Sequence, residues 1–346
     1  MPDIVDLRSD TVTKPTPEMR RAMYEAEVGD DVFGDDPTVI RLQERVAEIL
    51  GKDAALYVPS GTMANQIAVA CHTSPGDELY CEAGCHVLNF EGGAPASLSG
   101  VMLAAIEGRR GAYTAEQVSE RIRPTDHHYP VSRLIWVENT HNRSGGTIFP
   151  QEECRKLRQV ANQHGLAMHL DGARLWNAAV ATGRIEEELA APFDSVNVCF
   201  SKGLGAPVGS AIAGSKKFID RAHRARKRFG GGMRQAGIIA AGALYALEHH
   251  RERLVEDHRR ARRLAEAISE IPAFSIDLEA TATNIVIFDA APGGLTGAEV
   301  VAKLREDGVW GTAFGRSKVR LVTHLDVDDK GIERAIGVLR KNFSKG

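Results

Sequence analysis

The sequence predicts an α/β fold with a mostly parallel central sheet covered by helices, followed by a smaller C-terminal α/β domain. Short apolar segments alternate with amphipathic ones over residues 54–215, a pattern typical of parallel sheets that are buried on both faces. Residues 273–346 repeat this alternation on a smaller scale. The expected division of the chain is an N-terminal segment at 1–30, a large domain at 31–250 and a small domain at 251–346, with a long linking helix at 234–271.

Composition and charge argue against several classes of protein. The chain has 346 residues, of which 43% are hydrophobic and 26% charged, as in ordinary globular proteins. The net charge of −3 creates no field that would favour nucleic acid or a membrane surface. No apolar run approaches the roughly 18 residues that a membrane span needs, and the first residues lack the apolar region of a signal peptide. We therefore expect a cytoplasmic protein that binds neither nucleic acid nor membrane.

The cysteines predict neither disulfides nor a metal site. An odd number of scattered cysteines without a leader sequence is typical of free thiols. Cys81, Cys85 and His86 lie close in sequence, but a zinc site would need a second matched pair of ligands, and none is evident. The five cysteines are Cys71, Cys81, Cys85, Cys154 and Cys199.

Capping residues and hydrophobic periodicity predict the elements in order. Seven helices are expected: one that starts at Thr16, one that ends at Thr182, and five over 38–50, 60–71, 114–122, 151–164 and 216–228. The basic run in the helix over 216–228 is interpreted as a solvated helix face. The expected strands are 54–59, 77–81, 101–105, 132–137, 165–170 and one that starts at Ser195. In the small domain we expect strands at 284–288 and 318–322 and helices that start at Thr296 and Asp328. The segment 28–37, with four aspartates, is expected to be a loop outside the core.

Two strand ends carry residues that indicate the chemistry. Asp171 follows one apolar strand and Lys202 another, and in open α/β sheets the chemistry lies beyond the carboxyl ends of the strands. A lysine of lowered pKa can form a Schiff base with a carbonyl group, although an exposed or ion-paired lysine is the alternative at this position. Pyridoxal phosphate needs such a lysine together with a carboxylate against its ring nitrogen. The pair therefore indicates that cofactor.

Three further positions are candidates for binding. The residues Ser60, Gly61 and Thr62 open a helix and can present free N–H groups to a phosphate, although a plain helix cap explains them as well. His86 lies beyond a strand and can stack on a flat ring, move protons or serve a structural role. Arg320 lies on the charged face of a strand and can clamp a carboxylate or form a surface ion pair.

These positions fall within a set of motifs that resembles the low-specificity L-threonine aldolases, of the beta-eliminating lyase/threonine aldolase family. The resemblance implies the fold of the fold-type I enzymes that depend on pyridoxal phosphate. It spans most of the chain, and although each motif is weak by itself, the motifs together are specific. The matching segments are 6–13, 27–32, 58–63, 138–146, 169–174, 201–203, 206–210 and 230–236.

The resemblance also implies roles for cofactor-binding residues. Lys202 carries the cofactor as an aldimine, Asp171 pairs with the ring nitrogen, and His86 stacks on the ring. The phosphate is held by Gly61 and Thr62, with Arg234 reaching in from a neighbouring subunit, and Arg174 is a further cofactor-binding residue. A homotetramer, a dimer of dimers with sites at the subunit interface, is implied in the same way.

For the substrate, the resemblance implies that Ser9, Arg174 and Arg320 hold the carboxylate of the amino acid. His128 corresponds to a histidine near the substrate β-hydroxyl group, and Lys227 to a lysine that lines the site. Phe33 is a departure, because relatives often carry tyrosine there.

The activity that the resemblance implies is retro-aldol cleavage of L-threonine, L-allo-threonine and other β-hydroxy-α-amino acids to glycine and an aldehyde. The catalytic base is left open between His86 and His128, acting directly or through water. A β-eliminating lyase or aminotransferase of the same fold is the alternative, and its products would differ.

Overall fold

A computed structural model describes residues 4–344 of the chain. The strands in this part are β1 Val5–Asp6, β2 Ala54–Val58, β3 Asp77–Glu82, β4 Met102–Ile106, β5 Val131–Glu138, β6 Ala167–Gly172, β7 Ser195–Cys199, β8 Ser210–Gly214, β9 Ser275–Ile276, β10 Ile285–Asp289, β11 Val309–Trp310, β12 Thr312–Phe314 and β13 Lys318–Val322. The helices are α1 Pro17–Tyr24, α2 Pro37–Leu50, α3 Gly61–His72, α4 His86–Asn89, α5 Ala94–Ser99, α6 Ala115–Ser119, α7 Gln151–His164, α8 Leu175–Thr182, α9 Glu186–Ala190, α10 Lys216–Arg228, α11 Gly237–His249, α12 Leu254–Ser269, α13 Gly297–Glu306 and α14 Asp329–Phe343. Among these helices, none is long and apolar enough to cross a membrane.

The central sheet has seven strands in the order β2-β8-β7-β6-β5-β3-β4. Strand β8 runs antiparallel to both of its neighbours, and the remaining pairs, from β7 to β4, are parallel. The carboxyl ends of β2, β3, β5, β6 and β7 therefore lie along one edge of the sheet. Polar residues that follow these strands are brought together there.

Strand β5 shows that both faces of this sheet are buried. Leu134 and Trp136 belong to an apolar cluster with residues of α3 and α10, whereas Ile135 and Val137 belong to a cluster with residues of α2, α7, α8 and α11. Successive side chains of a strand point to opposite faces, so each cluster covers one side. The prediction of a mostly parallel sheet covered by helices is confirmed.

A second sheet, antiparallel and of four strands, follows in the order β12-β13-β10-β9. Its core includes residues of α12, α13 and α14, and also Val5 and Leu7 from the start of the chain. Strand β1 pairs in parallel with β11, which places those two residues there. The N-terminal segment therefore contributes to the core of the small sheet, while the division at residues 30 and 250 stays a prediction.

The expected continuous helix over 234–271 is wrong. The chain forms α11 and α12, with a break between His249 and Leu254. The buried His250 is bonded through Nδ1 to the carbonyl oxygen of Leu204 at 2.7 Å, a contact with the turn after β7 that holds the chain in this break. No glycine or proline marks the break, which is why periodicity alone missed it.

The acidic segment 28–37 is a loop, but the expectation that it lies outside the core is wrong for two of its aspartates. Asp36 is buried, and its Oδ1 accepts the N–H groups of Thr38 and Val39, each at 3.1 Å, at the start of α2. Its Oδ2 accepts the N–H of Gly237 at 2.7 Å, at the start of α11. The carboxylate of Asp36 thus caps two helices. Asp31 is also buried and pairs with Arg226 at 2.8 Å.

This double cap predicts the effect of Asp36→Ala. Both helices would lose their side-chain cap, and we expect the free energy of unfolding to fall by about 2 kcal/mol, because one cap is worth up to about that amount. Urea denaturation monitored by circular dichroism measures the change. Asp35→Ala, at the exposed neighbouring aspartate, is the matched control and should leave the midpoint in place. Equal midpoints for the two variants would contradict the double cap.

Candidate active site

A cavity of about 360 Å³ opens at the carboxyl edge of the central sheet. Its walls come from the turns after β2, β5, β6 and β7, from His86 beyond β3, from the N-terminal segment and from β13 of the small sheet. Eight residues predicted for the site line it: Ser9, Gly61, Thr62, His86, Asp171, Arg174, Lys202 and Arg320.

Asp171 is a buried carboxylate near the end of β6. Its Oδ1 accepts the N–H of Ala173 at 3.1 Å, and its Oδ2 accepts Nδ2 of Asn65 at 2.8 Å. Asn197 of β7 lies beside it and donates to Oδ1 at 3.4 Å and to the side-chain oxygen of Asn65. These N–H donors hold the carboxylate of Asp171 in one orientation. Within residues 4–344 the carboxylate forms no ion pair with a lysine or arginine. It is therefore free to pair with a cationic ring nitrogen.

Lys202 lies in the turn directly after β7. Its carbonyl oxygen accepts the N–H of Gly205 at 2.8 Å, which closes the turn. In the part of the chain that the structure describes, its ammonium group forms no ion pair. Strands β6 and β7 are parallel neighbours, so Asp171 and Lys202 face one cavity from adjacent strand ends. The sequence predicted both residues at strand ends, and their roles toward a cofactor stay predictions.

Helix α3 points its N-terminus at the same cavity. The hydroxyl oxygen of Ser60 accepts the N–H of Met63 at 3.2 Å, so Ser60 is a helix cap as well as a cavity residue. The N–H groups of Gly61 and Thr62 have no acceptor within residues 4–344. A Cβ atom on Gly61 would lie 2.8 Å from Sγ of Cys199, so only glycine lets α3 start this close to β7. The helix start can therefore hold an anion.

His86 begins the short helix α4, where a loop was expected. Its N–H donates to Oε2 of Glu138 at 2.6 Å, and its Nδ1 lies 2.8 Å from Oε1 of Glu91. Burial by itself would lower the pKa of His86, but the hydrogen bond to Glu91 and the negative charges of Asp171 and Glu91 together outweigh it, and the pKa is raised. His86 is thus held both through its backbone N–H and through its imidazole ring.

Arg174 is buried and paired with Asp10 of the N-terminal segment. Nε and Nη2 each donate to one carboxylate oxygen at 2.7 Å, and Asn284 of the small sheet donates to the same carboxylate at 3.2 Å. Burial alone would raise the pKa of Asp10, but the charge and hydrogen bonds of Arg174 hold it well below its usual range. The positive charge of Arg174 is therefore largely balanced before any ligand binds.

Arg320, in contrast, has no acidic partner within residues 4–344. Its Nη1 donates to Oδ1 of Asn142 at 3.0 Å and its Nη2 to the carbonyl oxygen of Arg8 at 3.4 Å. Nε is buried and without a partner in that range. Burial, and then the charge of Arg174, lower the pKa of Arg320. A half-buried guanidinium with a buried, unused Nε donor favours an anion in the cavity.

Three predicted site residues and one noted departure lie outside this cavity. His128 is exposed, with 72% of its side chain accessible, and pairs with Asp126 at 2.7 Å. Lys227 is exposed near the end of α10, Arg234 pairs with Asp30 at 3.0 Å, and Phe33 is 74% exposed. The chain by itself does not bring His128, Lys227 or Arg234 to the cavity, and their roles stay predictions.

Several site residues were missed because their roles depend on contacts between distant segments. Asn65 lies inside a helix of apolar character, and Glu91 in a loop that carries no catalytic pattern. Asp10, Glu138 and Asn142 fall within the quoted motifs 6–13 and 138–146, which was the available signal, but no role had been assigned to them.

Comparison with known proteins identifies relatives of the chain. Residues 6–291 match the family model of the beta-eliminating lyases. A protein of Arabidopsis thaliana named as a probable low-specificity L-threonine aldolase is 43% identical over 98% of this chain and 97% of its own length. The low specificity L-threonine aldolase of Escherichia coli O157:H7 is 41% identical over 94% of this chain and 95% of its own.

A solved structure shows the same fold. The threonine aldolase of Leishmania major aligns with a TM-score of 0.83 over 97% of this chain and 99% of that one, at 19% identity. The match of the family model over most of the chain, together with full-length relatives above 40% identity, shows that the chain belongs to the family of beta-eliminating lyases and low-specificity threonine aldolases.

Proposed function

We propose that the chain cleaves L-threonine, L-allo-threonine and related β-hydroxy-α-amino acids to glycine and an aldehyde, with pyridoxal phosphate bound to Lys202. One observation carries the proposal: the guanidinium of Arg320, with no acidic partner within residues 4–344, lines the same cavity as Lys202 and Asp171. An amino acid substrate would supply a carboxylate as the acidic partner of Arg320. The names of the full-length relatives support the substrate class.

The residues of the cavity fit this cofactor. The N–H groups of Gly61 and Thr62 would hold its phosphate, Asp171 its ring nitrogen and Lys202 its carbonyl carbon, while the His86 ring would lie against its face. The chemistry that bound pyridoxal phosphate supplies is an electron sink for the pair released at the substrate Cα.

The chain's own residues then decide which bond breaks. Arg320, with Arg174 and Ser9 beside it, would hold the substrate carboxylate and thereby orient the Cα–Cβ bond. Loss of this clamp would free the substrate to rotate and expose other bonds at Cα. A proton must also leave the β-hydroxyl group, and His86 and His128 are the candidates to accept it.

We propose further that the protein is a cytoplasmic homotetramer, a dimer of dimers, in which His128, Lys227 and Arg234 serve the cavity of a neighbouring subunit. All three are exposed and lie outside the cavity of their own chain. The five free cysteines, all buried, suit a reducing compartment.

A β-eliminating lyase is the second candidate, since the matching family model carries that description. It would use the same lysine and aspartate but release ammonia and a 2-oxo acid, which is pyruvate from serine and 2-oxobutyrate from threonine. Analysis of the products formed from threonine and serine separates the two activities.

The first prediction concerns Lys202. Lys202→Ala should abolish the visible absorbance of the protein reconstituted with pyridoxal phosphate and the release of acetaldehyde from L-threonine, because the covalent link is lost. Spectra and acetaldehyde detection on the same samples measure both. Lys217→Ala, an exposed lysine of α10, is the control and should behave as wild type. Full acetaldehyde release by the Lys202 variant would contradict the assignment.

The second prediction concerns Arg320. Arg320→Leu should lower kcat/KM for L-threonine roughly 100-fold, about 2.7 kcal/mol, while the visible band of the cofactor is retained, because only the substrate carboxylate loses its partner. Steady-state kinetics measure the change, and Arg316→Leu, an exposed arginine near the same β-hairpin, is the matched control. An unchanged kcat/KM would remove Arg320 from the carboxylate site.

The third prediction tests the sharing of residues between subunits. Co-expression of Lys202→Ala and His128→Ala chains should restore activity, because about a quarter of the sites in a random mixture combine an intact Lys202 with a neighbour's intact His128. The control is a chain that carries both Lys202→Ala and His128→Ala, mixed with Lys202→Ala, and this mixture should stay inactive.

If His128→Ala alone keeps kcat within about threefold of wild type, a role of His128 as base is excluded, since general bases contribute about 10²–10⁴-fold.

A further inference from the structure

Glu91 is a fully buried carboxylate behind the cavity wall. Its side chain has 0% exposure, and it lies between α4 and α5 without lining the cavity. Its Oε1 accepts Nδ2 of Asn65 at 2.6 Å and lies 2.8 Å from Nδ1 of His86, while its Oε2 accepts Nε2 of Gln66 at 2.5 Å. Both oxygens are held, so the carboxylate cannot rotate.

The contact with His86 determines the tautomer of its ring. An ionised carboxylate only accepts hydrogen bonds, so Nδ1 of His86 must carry the proton. The remaining nitrogen, Nε2, has no partner within residues 4–344, and His86 lines the cavity. Nε2 is therefore the ring atom left to bind or accept a proton there.

The charge balance points the same way. A buried carboxylate is costly unless it is paired, and within residues 4–344 the one ionisable group paired with Glu91 is His86. The other charged groups near the ring are Asp171, Lys202 and Glu138, the last of which accepts the His86 backbone N–H. Glu91 is thus the direct ionic partner of the ring.

Asn65 extends this arrangement to the opposite end of the site. Its amide nitrogen donates both to Glu91 at 2.6 Å and to Asp171 at 2.8 Å. One side chain of α3 therefore sets the spacing between the carboxylate that holds the imidazole and the carboxylate that faces the ring nitrogen. A displacement of Glu91 would be passed to Asp171 through a single amide group.

We propose that Glu91 is a positioning residue for His86, fixing the ring with Nδ1 protonated so that Nε2 accepts the proton of the substrate β-hydroxyl group, directly or through one water molecule. In this transfer the O–H bond breaks, its electron pair stays on oxygen, and the N–H bond forms at Nε2. The inference rests on the proposed function, because it assigns the base in that reaction to His86.

Glu91→Gln tests the proposal, since it keeps the shape of the side chain and removes its charge. Without the negative partner the imidazolium form is less favoured, so the pH at which half of the His86 rings are protonated should fall by about one unit. The acid limb of kcat/KM for L-threonine should move to lower pH by a similar amount, because the neutral ring then persists to lower pH. We also expect kcat to fall by up to about tenfold, because a ring that is less basic by about one pH unit is a weaker proton acceptor.

Two measurements report these changes. NMR titration of the apoprotein with ¹³C-labelled histidine follows His86, whose signal is assigned by its loss in His86→Asn. Steady-state kinetics of the reconstituted enzyme give the pH profile. Glu82→Gln is the matched control, because Glu82 is another buried carboxylate, 2.9 Å from the ring of His141, and does not line the cavity. Glu82→Gln should change neither the midpoint of the His86 NMR titration nor the midpoint of the acid limb of kcat/KM.

Glu91→Asp separates charge from position. It keeps the negative charge and shortens the side chain, so the midpoint should stay closer to that of the wild type while kcat falls. Unchanged midpoints in Glu91→Gln, or equal shifts in Glu82→Gln, would overturn the proposal. Failure of the wild type to release an aldehyde from any β-hydroxy amino acid would instead remove the proposed function, and the NMR midpoint would still report whether Glu91 and His86 are paired.

Discussion

The buried ion pair of Asp10 and Arg174 is the contact on which the geometry of the site depends. It joins the N-terminal segment to the end of β6, and through Asn284 it reaches the small sheet. A charge pair in the interior is stable only when both partners stay in place. Three parts of the chain are therefore held around one cavity by groups that cannot separate without leaving a charge unpaired.

This pair also sets the polarity of the cavity. Because Asp10 balances Arg174, the unpaired positive side chains that line the cavity within residues 4–344 are Lys202 and Arg320. Buried carboxylates occupy the other walls, with Asp171 at one strand end and Glu138 at the next. In the proposed function, an amino acid and a phosphorylated ring cofactor would each meet a complementary charge, so the layout of the walls would orient them.

Much of the fold follows from local patterns. Capping residues mark helix starts wherever they were used for prediction: Thr16, Ser60, Thr114, Thr296 and Asp328 each accept a hydrogen bond from the first turn of the helix that follows. Helix α7 and strand β13 have the predicted bounds. The break between α11 and α12 was missed because it depends on a contact of His250 with Leu204, which is distant in sequence.

The candidate site divides in the same way. Asp171, Lys202 and the start of α3 were recognised because each follows an apolar strand, and the carboxyl ends of parallel strands meet at one edge of a sheet. Glu91 and Asn65 carry no such local mark, since a glutamate in a loop or an asparagine in a helix is usually exposed. Their contacts with His86 and Asp171 exist only once α3 packs on the sheet.

The sequence by itself determined the class of fold through periodicity and capping, which are local properties, and the family through its set of motifs. Strand-end chemistry singled out Asp171 and Lys202, whereas Ser9 and Arg174 were named only from the resemblance. Only the tertiary structure decided which charges are balanced. Asp10 and Arg174 are 164 residues apart, and Asn65 and Asp171 are 106 apart. Pairing over such distances is set by the packing of whole elements, and no pattern within one segment encodes it.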